Sequence, residues 1–83
     1  MSGEKPSVKE MLETVVRAFV DHPDQVVVSR VRKQDSTVLE LQVAPGDLGR
    51  VIGRQGRTAR ALRALVSLAG EKLNERLHLQ ILD

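Results

Sequence analysis

One stretch decides the fold of this chain: Val51-Ile52-Gly53-Arg54-Gln55-Gly56-Arg57. Its two glycines stand three residues apart, after an apolar segment and before a helical pattern. Arginines lie between and beside these glycines, and no acidic residue does. Because glycine has no Cβ, such a loop lets the backbone come close to an extended, negatively charged molecule. The following helix adds free N–H groups and the positive end of its dipole, so the stretch predicts a clamp for a nucleic acid.

The charges are distributed unevenly along the chain. Between Leu48 and Gly70 there are five arginines and no acidic residue, which gives this segment a charge of +5. The remainder carries eight basic and eleven acidic side chains, so the whole chain has a net charge of only +2. A basic face on a mildly acidic body is typical of proteins that bind a phosphate-bearing ligand. The alternative is a solvated helix face whose arginines lack acidic partners, although exposed helices usually mix both signs.

Length and composition narrow the classes of protein. Eighty-three residues predict a single domain over residues 1–83, with a core from about residue 8 to residue 82. The chain has no cysteine, which excludes disulfides and cysteine-based zinc sites, and we expect neither a metal site nor a cofactor. The N-terminus has no signal-peptide apolar stretch, and no run approaches the roughly 18 apolar residues of a membrane span. We therefore expect a cytoplasmic protein that does not bind membranes.

The first part of the chain predicts a helix and a hairpin. A capping box at Ser7 precedes apolar residues that recur every three or four positions, which predicts a helix over residues 8–21. Two strands follow, at 25–33 and 38–43. The segment 34–36 between them is typical of a hairpin turn, so we expect these strands to be antiparallel. Which valines of the first strand face inward stays open, because they do not alternate cleanly.

The second part predicts two helices and a last strand. Asp47 is positioned to cap a one-turn helix at 48–52, and a further helix over residues 57–70 follows the glycine loop. The inner side of that helix would carry Leu62, Leu65, Val66 and Ala69. Apolar residues alternate from 77 to 81, and a strand reached through two helices normally runs parallel to the strand it left. The sequence therefore predicts an α+β fold of order α-β-β-α-α-β, with helices on one face of a three-stranded mixed sheet.

A helix–glycine loop–helix unit flanked by strands resembles the KH domain, and the α-β-β-α-α-β order is that of its type II form. The likeness covers the chain from about Val8 to Leu82. The segment 43–57 is similar to the short single-domain bacterial KH proteins of the KhpA family. This resemblance implies that the loop pinches the backbone of about four nucleotides of single-stranded nucleic acid. We expect RNA, although the sequence alone does not distinguish it from single-stranded DNA.

The resemblance also implies roles for individual residues. Gly53 and Gly56 would permit the close approach, while Arg54 and Gln55 would face phosphate with Arg57 beside them. The last strand would form the opposite wall of the groove, and its floor would consist of Val51, Ile52, Ala59 and Leu62. Many KH domains carry a bulky aliphatic residue at the position of Ala59, so a shallow floor with little base selectivity is implied. The residues expected to bind RNA are Gly53, Arg54, Gln55, Gly56, Arg57, Arg50, Arg60, Arg63, Ile52 and Leu62.

Other functional classes fit the sequence less well. The glycines lack the lysine of a P-loop and the spacing of a dinucleotide-binding fingerprint. Base stacking on aromatic rings is excluded, because the only aromatic residue, Phe19, occupies a core position of the first helix. We do not expect an enzyme, since His22 and His78 are predicted to be exposed with no catalytic partner. Asp47 is interpreted as a helix cap and not as a catalytic acid.

Self-association is a third class of function that the sequence leaves open. The first helix is apolar over more than one face, and the second long helix carries alanines that permit close packing. These surfaces either meet a partner or only cover the sheet. The resemblance implies homodimers and pairing with a larger KH-containing protein of the type called KhpB, Jag or EloR. It further implies an RNA chaperone in post-transcriptional control, linked to cell-envelope growth and cell length.

Overall fold

Helices and strands make up most of residues 7–83, which are the residues that this computed structural model describes. The elements are α1 (Val8–Arg17), β1 (Val27–Arg32), β2 (Thr37–Gln42), α2 (Leu48–Ile52), α3 (Arg57–Leu73) and β3 (Leu77–Ile81). This order confirms the α-β-β-α-α-β prediction. The part of the domain prediction that concerns residues 1–6 lies outside the described residues.

The strands form one mixed sheet in the order β1-β2-β3. β1 and β2 are antiparallel, with Val28 opposite Leu41, and β2 and β3 are parallel, with Leu39 opposite Leu79. The predicted hairpin and the parallel crossover through two helices are both confirmed. β1 is shorter than predicted at its start, because Pro23–Gln25 forms a turn of 3-10 helix before it.

The core lies between one face of the sheet and the helices. α1 packs against β1, and α3 packs against β3 and against α1. In β1, Val28 is 2% exposed whereas Val27 is 48% exposed, which settles the face that the sequence left open. The apolar cluster combines residues from all these elements, among them Leu12, Val16, Val28, Leu39, Leu41, Val51, Leu62, Val66, Leu77 and Leu79.

α1 begins as predicted and ends earlier. The backbone N–H of Glu10 donates to Ser7 Oγ at 3.1 Å, and the N–H of Ser7 donates back to Glu10 Oε1 at 3.4 Å, so the capping box is present. The helix ends at Arg17, four residues before the predicted boundary. After it, the N–H of Phe19 donates to Val16 O, three residues back, so the chain tightens before it turns toward Pro23.

Two polar side chains of α1 bind the outer edge of the sheet at β1. The N–H of Val28 donates to Glu13 Oε2 at 3.3 Å, and Arg17 Nη2 donates to Val26 O at 3.3 Å. These backbone groups point away from β2, where a further strand would otherwise pair. α1 therefore covers this part of the edge as well as the core.

α3 continues three residues beyond the end predicted at Gly70. Gly70 is buried and helical, and a Cβ there would lie 2.6 Å from Glu75 O. It is therefore a glycine because the chain passes close to it, and not because the helix stops. The helix ends instead at Asn74, whose φ of 58° is left-handed and whose N–H donates to Gly70 O and Glu71 O.

Candidate nucleic-acid interface

The loop between α2 and α3 has a backbone that turns sharply twice. The N–H of Gly53 donates to Gly49 O at 2.8 Å and closes α2, and Gly53 then leaves with φ 79° and ψ 169°. Gln55 and Gly56 both adopt the left-handed region, with φ of 58° and 74°. The N–H of Gly56 donates to Gly53 O at 3.1 Å and holds the loop closed. The chain thus reverses within four residues and exposes Arg54 and Gln55 at its tip.

Gly53 and Gly56 differ in how strictly they require glycine. A Cβ at Gly53 would overlap the Thr58 side chain and lie 2.8 Å from the Thr58 backbone nitrogen. A Cβ at Gly56 would meet only Arg60 Nη1, at 3.9 Å. Gly53 is therefore required by conformation and by space, whereas Gly56 is required by its conformation alone. The packing of Thr58 against Gly53 is a local feature that the sequence pattern did not reveal.

The N-terminus of α3 opens into this loop without a side-chain cap. Gly56 occupies the N-cap position and has no side chain to accept the first N–H groups, although the Arg57 N–H donates to Arg54 O. The other first-turn N–H groups have no partner within the helix, and they carry the positive end of its dipole. Such a terminus suits a phosphate group.

The arginines around the loop divide into paired and unpaired groups. Arg50 Nη2 lies 3.2 Å from Asp21 Oδ2, so part of its charge is already neutralised. The other four are exposed and form no ion pair with any residue in the range 7–83: Arg54, Arg57, Arg60 and Arg63. The structure thus brings four unpaired guanidinium groups to the loop and the first two turns of α3.

The apolar residues assigned to the groove floor lie deeper than a floor residue would. Ile52 is 37% exposed, whereas Val51, Ala59 and Leu62 are at most 4% exposed. Leu62 belongs to the core cluster. Of the predicted apolar contacts, Ile52 is therefore the one that the structure leaves open to a ligand.

Two flanks of α3 have opposite character. At 3.6 residues per turn, Arg60 and Arg63 point about 140° away from Leu65 and Leu68. Leu65 and Leu68 face α1 across an apolar groove, so the arginine flank lies on the side of β3. The groove has a volume of about 460 Å³ and is lined by Val8, Met11, Leu65, Leu68, Ala69, Lys72 and Leu73.

Asp47 does not cap α2, and this corrects the prediction from the sequence. Its side chain makes no cap hydrogen bond. It is instead fully buried and accepts from the backbone N–H groups of Asp21 at 3.0 Å and His22 at 2.9 Å. The chain folds this way because the turn after α1 lies against the start of α2, where a short carboxylate satisfies both donors.

The sequence suggested an exposed His22 without a partner, but the structure places its ring beside Asp47. Its Nδ1 lies 3.3 Å from Asp47 Oδ2, although half of the side chain is exposed. Burial of Asp47 opposes its ionisation, but the hydrogen bonds from the Asp21 and His22 backbone and from the His22 ring outweigh burial, so the pKa of Asp47 is lowered. A charged Asp47 therefore belongs to the folded state.

Over residues 7–83, no three His, Cys, Asp or Glu side chains are grouped as a metal would need. None of the helices in that range has the length and apolarity to cross a membrane.

The mixed sheet, the order of the elements and the glycine loop between two helices define a KH domain. A sequence profile described as the KH domain of KhpA/KhpB matches residues 9–81. The chain belongs to this KhpA/KhpB family of KH-domain proteins.

Curated relatives resemble this chain over nearly its whole length. The RNA-binding protein KhpA of Clostridium acetobutylicum is 47% identical over 75 residues, which cover 90% of this chain and all of that protein. The protein of the same name from Halalkalibacterium halodurans is also 47% identical, over 92% of this chain and all of its own length. That of Borreliella burgdorferi is 43% identical over 89% of this chain and 90% of its own.

A solved structure supports the fold at low sequence identity. The crystal structure of an Aquifex aeolicus Era variant bound to GDP and AlF4⁻ superposes with a TM-score of 0.61 and 14% identity. The match covers 89% of this chain and 29% of Era. At this identity the likeness extends to the fold alone.

Proposed function

We propose that this chain binds single-stranded RNA through the Gly53–Gly56 loop and catalyses no reaction. The observation that carries the proposal is the loop itself, in which a left-handed backbone meets an uncapped helix N-terminus among four exposed arginines that form no ion pair within residues 7–83. Arginine offers always-charged, bidentate donors that suit phosphate. The relatives named RNA-binding protein KhpA support the choice of RNA among phosphate-bearing ligands.

In the proposed complex, the RNA backbone lies on the loop and follows the arginine flank of α3. Arg54 and Gln55 contact phosphate at the tip, and Arg57, Arg60 and Arg63 continue the contact along the helix. The outer edge of β3 forms the opposite wall, and Ile52 supplies apolar contact. One domain with so small a site binds in roughly the micromolar range or more weakly. The buried, small Ala59 offers little for base selection.

The experiment is fluorescence anisotropy of a labelled single-stranded RNA with wild type and with the Arg54→Asp, Gln55→Asp double variant. Aspartate tolerates the left-handed conformation of residue 55, so circular dichroism should show an unchanged fold. The matched control, Arg54→Gln with Gln55→Asn, removes one charge and reverses none. We expect RNA binding to disappear in the first variant and to weaken in the second. Equal binding by all three proteins would make the loop structural.

The second candidate function is a protein-interaction module, which the apolar groove between α1 and α3 favours. Leu68 is 65% exposed and Leu73 is 54% exposed, while Met11 and Val15 of α1 are 39% and 38% exposed. Exposed leucines grouped in one groove are typical of an interface. A second copy of this chain, or a larger KH-containing protein of the KhpB, Jag or EloR type, would cover it.

The two candidates separate because their surfaces lie on opposite flanks of α3. We expect Leu68→Asp to abolish dimers in analytical ultracentrifugation and to leave RNA affinity within about twofold, since position 68 is exposed and away from the arginines. Arg60→Asp is the reciprocal variant, with RNA binding lost and dimers retained. A protein that dimerises but binds no RNA would put the interaction module first. We extend the RNA-binding proposal to a role in the cell: post-transcriptional control in the cytoplasm, RNA chaperone activity, and a link to envelope growth and cell length.

A further inference from the structure

Asp47 is the one ionisable side chain in the core of residues 7–83, and the proposed RNA contact does not use it. It is 0% exposed, while the only other buried polar side chain in that range is Thr37. Burying a charge is costly unless it is fully hydrogen-bonded. Its position therefore has a structural purpose that outweighs this cost.

Both oxygens of Asp47 bind the turn that follows α1. Oδ1 accepts the Asp21 N–H, and Oδ2 accepts the His22 N–H with the His22 ring nitrogen beside it. A second link joins the same turn to α2, because Arg50 Nη2 donates to Asp21 Oδ2 at 3.2 Å. The turn at Asp21–His22 is thus fastened to the start of α2 at Asp47 and again three residues later, at Arg50.

α2 cannot hold its own position. It has five residues, far fewer than an isolated helix needs to be stable. Its C-terminal end leads directly into Gly53, and the five residues of α2 separate Asp47 from Gly53 by only about 9 Å. Where α2 lies therefore sets where the glycine loop and the N-terminus of α3 meet.

We propose that Asp47 is a positioning residue for the RNA-binding loop: by fastening α2 to the turn at Asp21–His22, it fixes the geometry in which the loop accepts RNA. This inference rests on the proposed function, and Asp47 itself does not contact RNA. A carboxylate is needed because both backbone donors must meet an acceptor. Asparagine has one acceptor oxygen, and its NH₂ group would face the second donor.

The first test uses the protein without RNA, so its outcome is independent of the proposed function. Amide hydrogen exchange is measured for Asp47→Asn at Gly53 and Gly56, whose N–H groups are bonded within the loop. We expect both to exchange about tenfold faster or more, while the Lys33 amide at the far end of the sheet stays unchanged. Uniform acceleration at all sites, or none in the loop, would overturn the proposal.

Two further variants serve as controls for the hydrogen-exchange test. Asp21→Ala breaks only the exposed link to Arg50, so it folds, and we expect a smaller acceleration confined to the same two amides. Glu75→Gln removes the Arg30–Glu75 ion pair, whose atoms lie 2.9 Å apart at the other end of the fold, and should leave the loop amides unchanged. Acceleration in Glu75→Gln equal to that in Asp21→Ala would also count against the proposal.

The second test measures RNA affinity in a double-variant cycle. We expect Asp47→Asn to weaken binding about tenfold, and Arg54→Ala to cost less affinity in its presence, because a displaced loop uses Arg54 poorly. Arg63→Ala lies two turns along α3, and we expect it to weaken RNA affinity by the same factor with and without Asp47→Asn. If Arg54→Ala also weakened affinity by the same factor with and without Asp47→Asn, the effect of Asp47→Asn would be a general loss of stability, and the proposal would be wrong. Wild type that binds no RNA would refute the proposed function and leave the exchange result standing.

Discussion

Two glycines of the same loop carry different constraints at the level of single residues. We expect Gly53→Ala to lower the free energy of unfolding by about 2–4 kcal/mol, since it adds a collision with Thr58 to left-handed strain. Gly56→Ala should cost about 1–2 kcal/mol, because its Cβ would meet only Arg60 Nη1 at an ordinary contact distance, so that conformation alone opposes it. Urea unfolding at equal protein concentration measures both.

Gln55, which lies between the two glycines, provides a control for both alanine variants. Gln55 already holds a left-handed φ of 58°, so Gln55→Gly is the control that relieves strain without adding atoms. It should leave the free energy of unfolding equal or slightly higher. Equal losses for Gly53→Ala and Gly56→Ala would mean that Thr58 moves aside and that the collision is not a constraint.

Asp47 makes the stability of the protein sensitive to acid. Its pKa is lowered by hydrogen bonds that outweigh burial, so its contribution is fully present above the ordinary aspartate pKa of about 3.9 and is lost as the pH falls through the lower, folded-state value. We expect the melting temperature to fall in this acid range by several degrees more in wild type than in Asp47→Asn. Thermal melts from pH 7 down to pH 2 test this, and parallel curves would contradict it.

At the scale of the element, α3 depends on a glycine inside the helix. We expect Gly70→Ala to lower the melting temperature by about 4–15 °C, although alanine favours helices by about 1 kcal/mol. The reason is that the Glu75 carbonyl lies 2.6 Å from the added Cβ and belongs to the backbone, which cannot yield as a side chain would.

Gly49 in α2 is the matched control for Gly70. A Cβ at Gly49 would meet nothing within 4 Å, so Gly49→Ala should be neutral or stabilising by up to about 1 kcal/mol. If both variants were stabilised alike, helix propensity would govern Gly70 and its close approach to Glu75 would be unimportant.

The sequence predicted the elements well where periodicity was strong and their ends poorly where tertiary contacts decided them. α2 begins and ends as predicted, and the parallel β3 followed from the length of the crossover. The predicted end of α1 was wrong because the chain after the helix is bound by Asp47, which is twenty-six residues away from Asp21 in the sequence. Such a contact has no signal in local spacing.

In the candidate site, too, features that depend on local spacing were predictable and contacts between distant segments were not. The glycine spacing and the arginines of α3 could be identified from the sequence, because each depends on residue type at fixed intervals. The pairing of Arg50 with Asp21 could not, since it depends on how distant segments pack. The contacts proposed for these residues with RNA stay predictions.

At the scale of the whole molecule, charge is concentrated on one flank and apolar surface on another. With phosphate contacts from the four arginines of the proposed complex, we expect the logarithm of RNA affinity to fall with the logarithm of salt concentration with a slope of roughly −3. Arg60→Ala should reduce the magnitude of this slope by about 0.7, whereas Arg30→Ala, which is not near the loop, should not change it.

Anisotropy titrations between about 50 and 200 mM salt measure this slope. Arg30 is the suitable control because it is an exposed arginine of β1 that already pairs with Glu75. An equal change of slope for both variants would mean that RNA is attracted by the overall charge and follows no defined flank.

The side chains of Glu13 and Arg17 on the edge of β1 restrict how this protein can polymerise. A sheet grows into a fibril by adding strands to a free edge, and here α1 already occupies backbone groups at Val26 and Val28. Growth by strand addition is thereby directed to β3, the other edge of the sheet. In the proposed complex, that edge borders the RNA, so a protein loaded with RNA would offer neither edge freely and should resist fibril formation longer than the empty one.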